Sequence, residues 1–153
     1  MTHLKEGDQA PEIHAEDQNG ETISFDRFKG QKIILYFYPK DNTPGCTSEA
    51  CNLRDNYQDL KNMGFEIIGV SPDSMQSHQR FIEKNSLPFR LIADPDKKIL
   101  HDYGVWGEKK RYGKVYEGVH RTTFIVSEDQ KIEKIIDQVK TKDHARQIMD
   151  ELA

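Results

Sequence analysis

The sequence predicts an α/β fold, with helices flanking a sheet that contains parallel pairs and a β-hairpin ahead of it. Three observations lead there. Short runs such as Lys32–Tyr38 are apolar on both faces, as buried strands are. Amphipathic stretches with apolar residues three and four apart lie between these runs. Near the N-terminus, Asn19-Gly20 separates two short segments and is the preferred two-residue hairpin turn. No repeat, low-complexity tract or linker interrupts the 153 residues, so residues 1–153 read as one domain.

In chain order, Glu12–Asp17 and Glu21–Ser24 form the expected hairpin. Lys32–Tyr38 is a buried strand ended by Pro39, and Phe65–Val70 is a second, stopped by Ser71-Pro72. Phe89–Ala93, Thr122–Ser127 and Lys131–Ile136 complete the strands. Helical patterns cover Cys46–Met63, Ser74–Asn85, Asp96–Tyr103 and Thr141–Leu152. The third carries Asp94 as expected N-cap and Pro95 at the first helical position. In the first, Cys46, Ala50, Leu53, Tyr57 and Leu60 make one stripe toward the sheet, with Glu49, Asn52, Asp55 and Asp59 assigned to solvent. The second helix buries Phe81 and Ile82 and exposes Gln76, Glu83 and Lys84.

Composition narrows the function. Hydrophobic residues make up 35% and charged residues 31%, at a mean hydropathy of −0.81, yet the apolar residues are concentrated in runs that a disordered chain has no use for. No apolar stretch approaches the roughly 18–20 residues of a membrane span. A net charge of −4, with scattered Lys and Arg, lacks the clustered basic face of a nucleic-acid binder. Met1–Asp8 has no apolar segment and carries acidic residues, so the expectation is a cytoplasmic protein without a leader. With 2 cysteines, a disulfide scaffold is not expected either.

Those cysteines sit in the most informative stretch, Pro39-Lys40-Asp41-Asn42-Thr43-Pro44-Gly45-Cys46-Thr47-Ser48-Glu49-Ala50-Cys51. It joins the C-terminal end of a buried strand to a helix, where open α/β sheets place ligands. Thr43 suits a cap and Pro44 the first helical position, so Cys46 falls in the first turn, where free N–H groups and the helix dipole favour a thiolate. Thiol pKa values near 8.5 fall to about 3.5–7.5 in such settings, although nucleophilicity per thiolate falls with them. The plain alternative is a buried cysteine acting as a small hydrophobe.

Cys51 bears on that choice. In an intact helix, positions five apart are separated by about 7.5 Å of rise and about 140° of rotation, placing their Cα atoms roughly 8–9 Å apart. A disulfide needs less than about 7 Å, so bonding requires the first turns to unwind. The spacing suits a catalytic disulfide, Cys46 attacking and Cys51 resolving, and does not suit a static staple. Zinc is the competing use of C-x4-C, but His78, His101 and His120 are scattered and offer no second ligand pair. The C-x-x-C of a thioredoxin-type reductase is absent.

Pro39-xxx-Thr43-xx-Cys46 resembles the peroxiredoxin active-site pattern. The longer Tyr36-Phe37-Tyr38-Pro39-Lys40-Asp41, Thr43-Pro44-Gly45-Cys46-Thr47 and Glu49-Ala50-Cys51 are similar to the bacterioferritin comigratory protein (peroxiredoxin Q) branch. The resemblance continues through Gly69-Val70-Ser71, His78, Leu87-Pro88-Phe89, Tyr103–Lys109 and Arg121–Val126, and spans about Leu4 to Leu152. It departs at Glu128-Asp129-Gln130-Lys131, where the family usually has a glycine in the turn.

This resemblance implies a thioredoxin-like fold with a central mixed sheet and a thiol peroxidase acting on hydrogen peroxide and organic hydroperoxides. It makes Cys46 the peroxidatic cysteine and Cys51 the resolving one, joined in an intramolecular Cys46–Cys51 disulfide. Thr43 would hydrogen-bond near the thiolate and the peroxide, Arg121 would supply positive charge to both, and Pro39 would shield the pocket. Thioredoxin or a similar dithiol would restore the thiols; no metal, flavin or nicotinamide, nucleic acid or membrane is called for, and the protein would be a monomer. A redox-sensing or binding module and a disulfide reductase remain as alternatives. On residue type alone, Thr43 is a cap, Arg121 a solvated arginine, Glu49 a complement to the helix dipole and His78 a surface or capping residue. Trp106, Tyr103 and Tyr112 read as packing aromatics and Glu108–Arg111 as a solvated loop.

Overall fold

The computed structural model describes residues 2–153. A hairpin of β1 (His14–Glu16) and β2 (Thr22–Ser24) leads into a 3-10 turn at Phe25–Phe28. Then follow β3 (Lys32–Phe37), α1 (Pro44–Asp55), α2 (Tyr57–Asn62), β4 (Phe65–Ser71), α3 (Met75–Asn85), β5 (Arg90–Ala93) and α4 (Lys98–Asp102). A second hairpin, β6 (Trp106–Arg111) and β7 (Lys114–Val119), precedes β8 (Thr122–Val126), β9 (Ile132–Ile136) and α5 (His144–Leu152). The five-stranded sheet runs β5-β4-β3-β8-β9. Its β3, β4 and β5 are parallel, whereas β8 and β9 join antiparallel. The mixed α/β layering is therefore the one expected.

Alternation along β3 divides the core. Ile33, Leu35 and Phe37 face a layer built from the N-terminal hairpin, α4 and Tyr103. Ile34, Tyr36 and Tyr38 face the helices, where Cys46, Ala50 and Leu53 of α1, Phe81 of α3 and Ile148 of α5 pack. The predicted α1 stripe holds throughout, with Tyr57 packed at its edge. Among the described residues no helix is long and apolar enough to cross a membrane.

Several boundaries differ from expectation, each for a local reason. The first turn is not a two-residue Asn19-Gly20 turn: strand pairing stops at Glu16 opposite Thr22. Asp17 Oδ1 accepts from the N–H groups of Asn19 (2.9 Å) and Glu21 (3.0 Å), and this side-chain turn replaces the tighter one. The first long helix starts at Pro44 and breaks at Asn56, whose side-chain amide donates to Asn52 O (2.9 Å) and competes with the ladder. The helix expected from Asp96 starts at Lys98, with Asp94 outside it. Asp94 O instead accepts from Lys97 N–H in a turn, and its carboxylate reaches over to Leu100 N–H (2.9 Å). The last helix begins at His144, after a turn closed by Asp143 N–H on Lys140 O. Ile82 is half-buried.

The largest difference is the β6–β7 hairpin, because Glu108–Arg111 is strand and not loop. Its turn is Tyr112-Gly113, both at positive φ (53° and 76°), a two-residue turn without the usual asparagine signal. Tyr112 is consequently exposed, whereas Tyr103 is fully buried. At the unusual 128–131 turn, Gln130 itself takes the left-handed conformation (φ 63°) that glycine takes in relatives of the pattern.

Gly69 pairs with Tyr36 across β3 and β4, and the Tyr36 ring lies on it. A Cβ there would come within 2.7 Å of Leu91 Cδ2 and 2.8 Å of Tyr36 Cζ. Gly69→Ala should therefore lower stability by about 1–3 kcal/mol, read as a lower urea midpoint at unchanged m-value. An unchanged midpoint would contradict this packing.

Candidate active site

The site forms because the sheet places two chain ends together. Phe37, last in β3, pairs with Thr122, first in β8. The residue before β8, Arg121, is thereby set beside the chain leaving β3 for α1. Thr43 occupies the N-cap position (φ −90°, ψ 154°) and Pro44 the first helical one, so Cys46 lies in the first turn of α1, 1% exposed. The Thr43 hydroxyl does not cap. It donates to Lys40 O (2.8 Å), which leaves the first N–H groups of α1 without a side-chain acceptor.

Arg121 reaches over this helix start. Its Nη2 donates to Cys46 Sγ at 3.2 Å and its Nη1 to Glu49 Oε1 at 2.7 Å. Gly45 allows the approach, since a Cβ there would lie 3.3 Å from Nη2. A guanidinium donor stabilises negative charge on sulfur and stays protonated while doing so. Arg121 also lines an open cleft of about 830 Å³ with Lys109, His120, Thr122, Asp137 and Lys140. Pro39 is half-buried at the end of β3.

Glu49 is not on the solvent side. It is fully buried, with Arg121 as its ion-pair partner, and burial pushes its carboxyl up to about 7 against the opposing pull of Arg121. The signal was present in the spacing: Cys46, Glu49, Ala50 and Leu53 fall three, one and three residues apart, all on one helical face.

His78 is likewise buried rather than at the surface. Its Nε2 lies 3.0 Å from Ile92 O, and its Nδ1 2.7 Å from Asp41 Oδ2, so one proton lies between ring and carboxylate. Asp41 also accepts from Tyr38 Oη (2.6 Å) and Ser77 Oγ (2.8 Å). This cluster pins the loop before Cys46 to α3. Both residues stand in the family pattern, but their contact spans the fold and nothing local announced it.

Cys51 is half-buried in the same helix, and both cysteines are free thiols. Its Sγ points to Asn85 Oδ1 at 3.7 Å, on α3, so the structure does not bring the two sulfurs together. Positions five apart in this continuous helix stand roughly 8–9 Å apart, beyond disulfide reach. The site thus unites Cys46 with Arg121 and Glu49 and holds Cys51 away, while the Thr43 hydroxyl is turned to Lys40 O and Pro39 stands half-buried in the chain leading to α1. A thiol in the first turn of a helix, donated to by a guanidinium beside an open cleft, can attack an electrophilic oxygen.

Comparison with known proteins agrees with that chemistry. The AhpC/TSA family matches residues 6–135. Peroxiredoxin Bcp of Escherichia coli (strain K12) is 46% identical over 144 residues, covering 94% of this chain and 92% of the relative. The chain belongs to the AhpC/TSA family, among its Bcp-type peroxiredoxins. As a peroxiredoxin it is a thiol peroxidase. Among solved structures, a cysteine-to-serine mutant of Xylella fastidiosa PrxQ superposes with a TM-score of 0.91 at 28% identity, covering 99% of this chain and 97% of that one. A Xanthomonas campestris bacterioferritin comigratory protein, described for its alkyl peroxide reduction activity, gives 0.85 at 31% identity, covering 92% and 89%. The fold of this peroxiredoxin is thioredoxin-like, as the resemblance implied.

Asp41→Ala should cost about 3–5 kcal/mol in urea unfolding, because it leaves His78, Tyr38 and Ser77 without their common buried partner. A loss below about 1 kcal/mol would show that the cluster does not hold the loop.

Proposed function

We propose that this peroxiredoxin reduces hydrogen peroxide and organic hydroperoxides at Cys46. The contact that carries the reading is the 3.2 Å hydrogen bond from Arg121 Nη2 to Cys46 Sγ at the start of α1. The Cys46 thiolate attacks one peroxide oxygen; an S–O bond forms, O–O breaks, and the departing oxygen takes a proton and leaves as water or alcohol. Arg121 stabilises the charge that develops on that oxygen. The Thr43 hydroxyl, three residues before Cys46, turns from Lys40 O to the peroxide, and Pro39 restricts water.

The product on the enzyme is a sulfenic acid. The first turns of α1 then unwind, and the Cys51 thiolate attacks Cys46 sulfur. The S–S bond forms, S–O breaks, and the hydroxide leaves as water. A dithiol such as thioredoxin reduces the Cys46–Cys51 disulfide by exchange. The reduced state to which this cycle returns suits the cytoplasm. On this reading residues 1–153 act as one domain and as a monomer, without cofactor. The open cleft beside Arg121, and the alkyl peroxide activity described for the Xanthomonas relative, support organic substrates.

One equivalent of hydrogen peroxide should remove both thiols of the reduced protein and lower its intact mass by two hydrogens. Cys51→Ser should instead gain one oxygen on Cys46, and Cys46→Ser should consume no peroxide. Survival of both thiols would overturn the reading. In stopped-flow oxidation, Arg121→Ala should slow the first step by roughly 10²–10³-fold. A slowing of less than about tenfold would remove Arg121 from the reaction.

A further inference from the structure

Glu49 lies in α1 between the two cysteines, so any unwinding that joins Cys51 to Cys46 carries it out of its buried site. Its oxygens are not equivalent. Oε1 accepts from Arg121 at 2.7 Å, whereas Oε2 is buried without a hydrogen-bond partner and faces His144 Nε2 at 3.6 Å.

The neighbours of His144 decide what Oε2 faces. The Gln147 amide is oriented by the backbone, with its Nε2 donating to Gln138 O (2.7 Å) and its Oε1 accepting from Lys140 N–H (2.9 Å). His144 Nδ1 lies 2.9 Å from that same Oε1, so Nδ1 carries hydrogen. Burial above all, with Arg121 adding to it, lowers the imidazole to about 4 against the pull of Gln147, so the ring is neutral. Nε2 is then a lone pair, to which the Thr123 hydroxyl donates at 2.7 Å. An ionised Oε2 would set acceptor against acceptor in a dry pocket. A proton on Oε2 removes that repulsion, although the lone pair itself is taken by Thr123.

Charge counting leads to the same place. The titratable and charged groups around Glu49 are Arg121 ahead of β8, His144 on α5, Tyr36 on β3 and Cys46 on α1 itself. One guanidinium serves two acids, and a buried cation is balanced by one anion. With Glu49 neutral, the charge of Arg121 is left to the sulfur.

We infer that Glu49 carries a buried proton on the oxygen facing the neutral ring of His144 in the folded, reduced protein, and that unwinding of α1 sets it free. The second half rests on the Cys46–Cys51 disulfide proposed above; the first does not. Glu49 and His144 are positioning residues here, acting on the sulfur through Arg121. The sign follows from the Glu49 carboxyl, held at about 7 in the folded helix and returning to its ordinary 4.5 when exposed. Below 4.5 both forms keep the proton and pH has no effect. Between 4.5 and about 7 the folded form binds one proton more, so rising pH favours the unwound form by up to about tenfold per unit. Above about 7 both are ionised and the effect saturates.

Infrared difference spectra of reduced wild type against Glu49→Gln test the proton directly. A protonated-carboxyl band is expected below pH 7, fading with a midpoint near 7. Its absence from the reduced wild type would overturn the inference. Thr123→Val removes the donor to Nε2, leaves its lone pair free for a protonated Oε2, and should move that midpoint up; an unmoved midpoint would overturn the facing of Oε2 and His144. For release, the Cys46–Cys51 reduction potential of wild type should fall more steeply with pH than that of Glu49→Gln between 4.5 and 7. The expected difference is one proton, tenfold or about 30 mV per pH unit for this two-electron couple. Parallel lines would overturn release. If peroxide produces no such disulfide at any pH, the resolving role of Cys51 and the release both fail, and the band still decides the proton.

Discussion

The guanidinium of Arg121, held between the sulfur of Cys46 and the carboxyl of Glu49, is the contact on which the site depends. It exists because of strand order. By inserting antiparallel next to β3, β8 brings its leading residue to the end of the strand that launches α1. Gly45 and the first-turn position of Cys46 then leave room for the approach. Sheet topology, a helix start and one glycine together set a guanidinium on the Cys46 sulfur; none of them does so alone.

In the proposed reaction the same helix is formed for the first step and undone for the second. Its composition suits both. Between Pro44 and Asn52 the buried apolar side chains are only Cys46 and Ala50, both small; Leu53 is the first large anchor. What holds this part is polar: Arg121 to Glu49, Asn52 Oδ1 to Ala145 N–H (2.7 Å), Cys51 to Asn85, and the Asp41–His78 cluster on the preceding loop. Each such bond contributes on the order of 1 kcal/mol net, because water replaces it on opening. A segment secured by polar contacts and small side chains belongs to the low-stability end of a fold and opens without loss of the core.

The strands were legible in the sequence because β3, β4 and β8 are buried on both faces and read as unbroken apolar runs. The β6–β7 hairpin was not: Trp106–Arg111 is largely polar, exposed on alternate positions and closed by Tyr112-Gly113, so neither hydrophobic pattern nor turn residue announced it. Thr43, Cys46 and Cys51 stand close together in one segment, where helix geometry placed Cys46 in the first turn and Cys51 out of disulfide reach, while the role of Thr43 came only with the family pattern. Arg121 lies 75 residues from Cys46, and only the family pattern singled it out. Glu49 was read as a dipole complement because a carboxylate in a first turn normally is one; its burial depends on Arg121 and His144, which arrive from elsewhere in the chain. The contact between His78 and Asp41, 37 residues apart, was illegible for the same reason, although both residues stand in the family pattern.

The central claim is that α1 is intact while Cys46 is a thiol and locally undone once it is joined to Cys51. Residue-resolved hydrogen exchange on the reduced and disulfide forms tests it most directly. The account predicts protected amides over Cys46–Asn52 in the reduced protein and fast exchange there in the disulfide form, with β3 and β4 unchanged. Equal protection of that segment in both forms would contradict it.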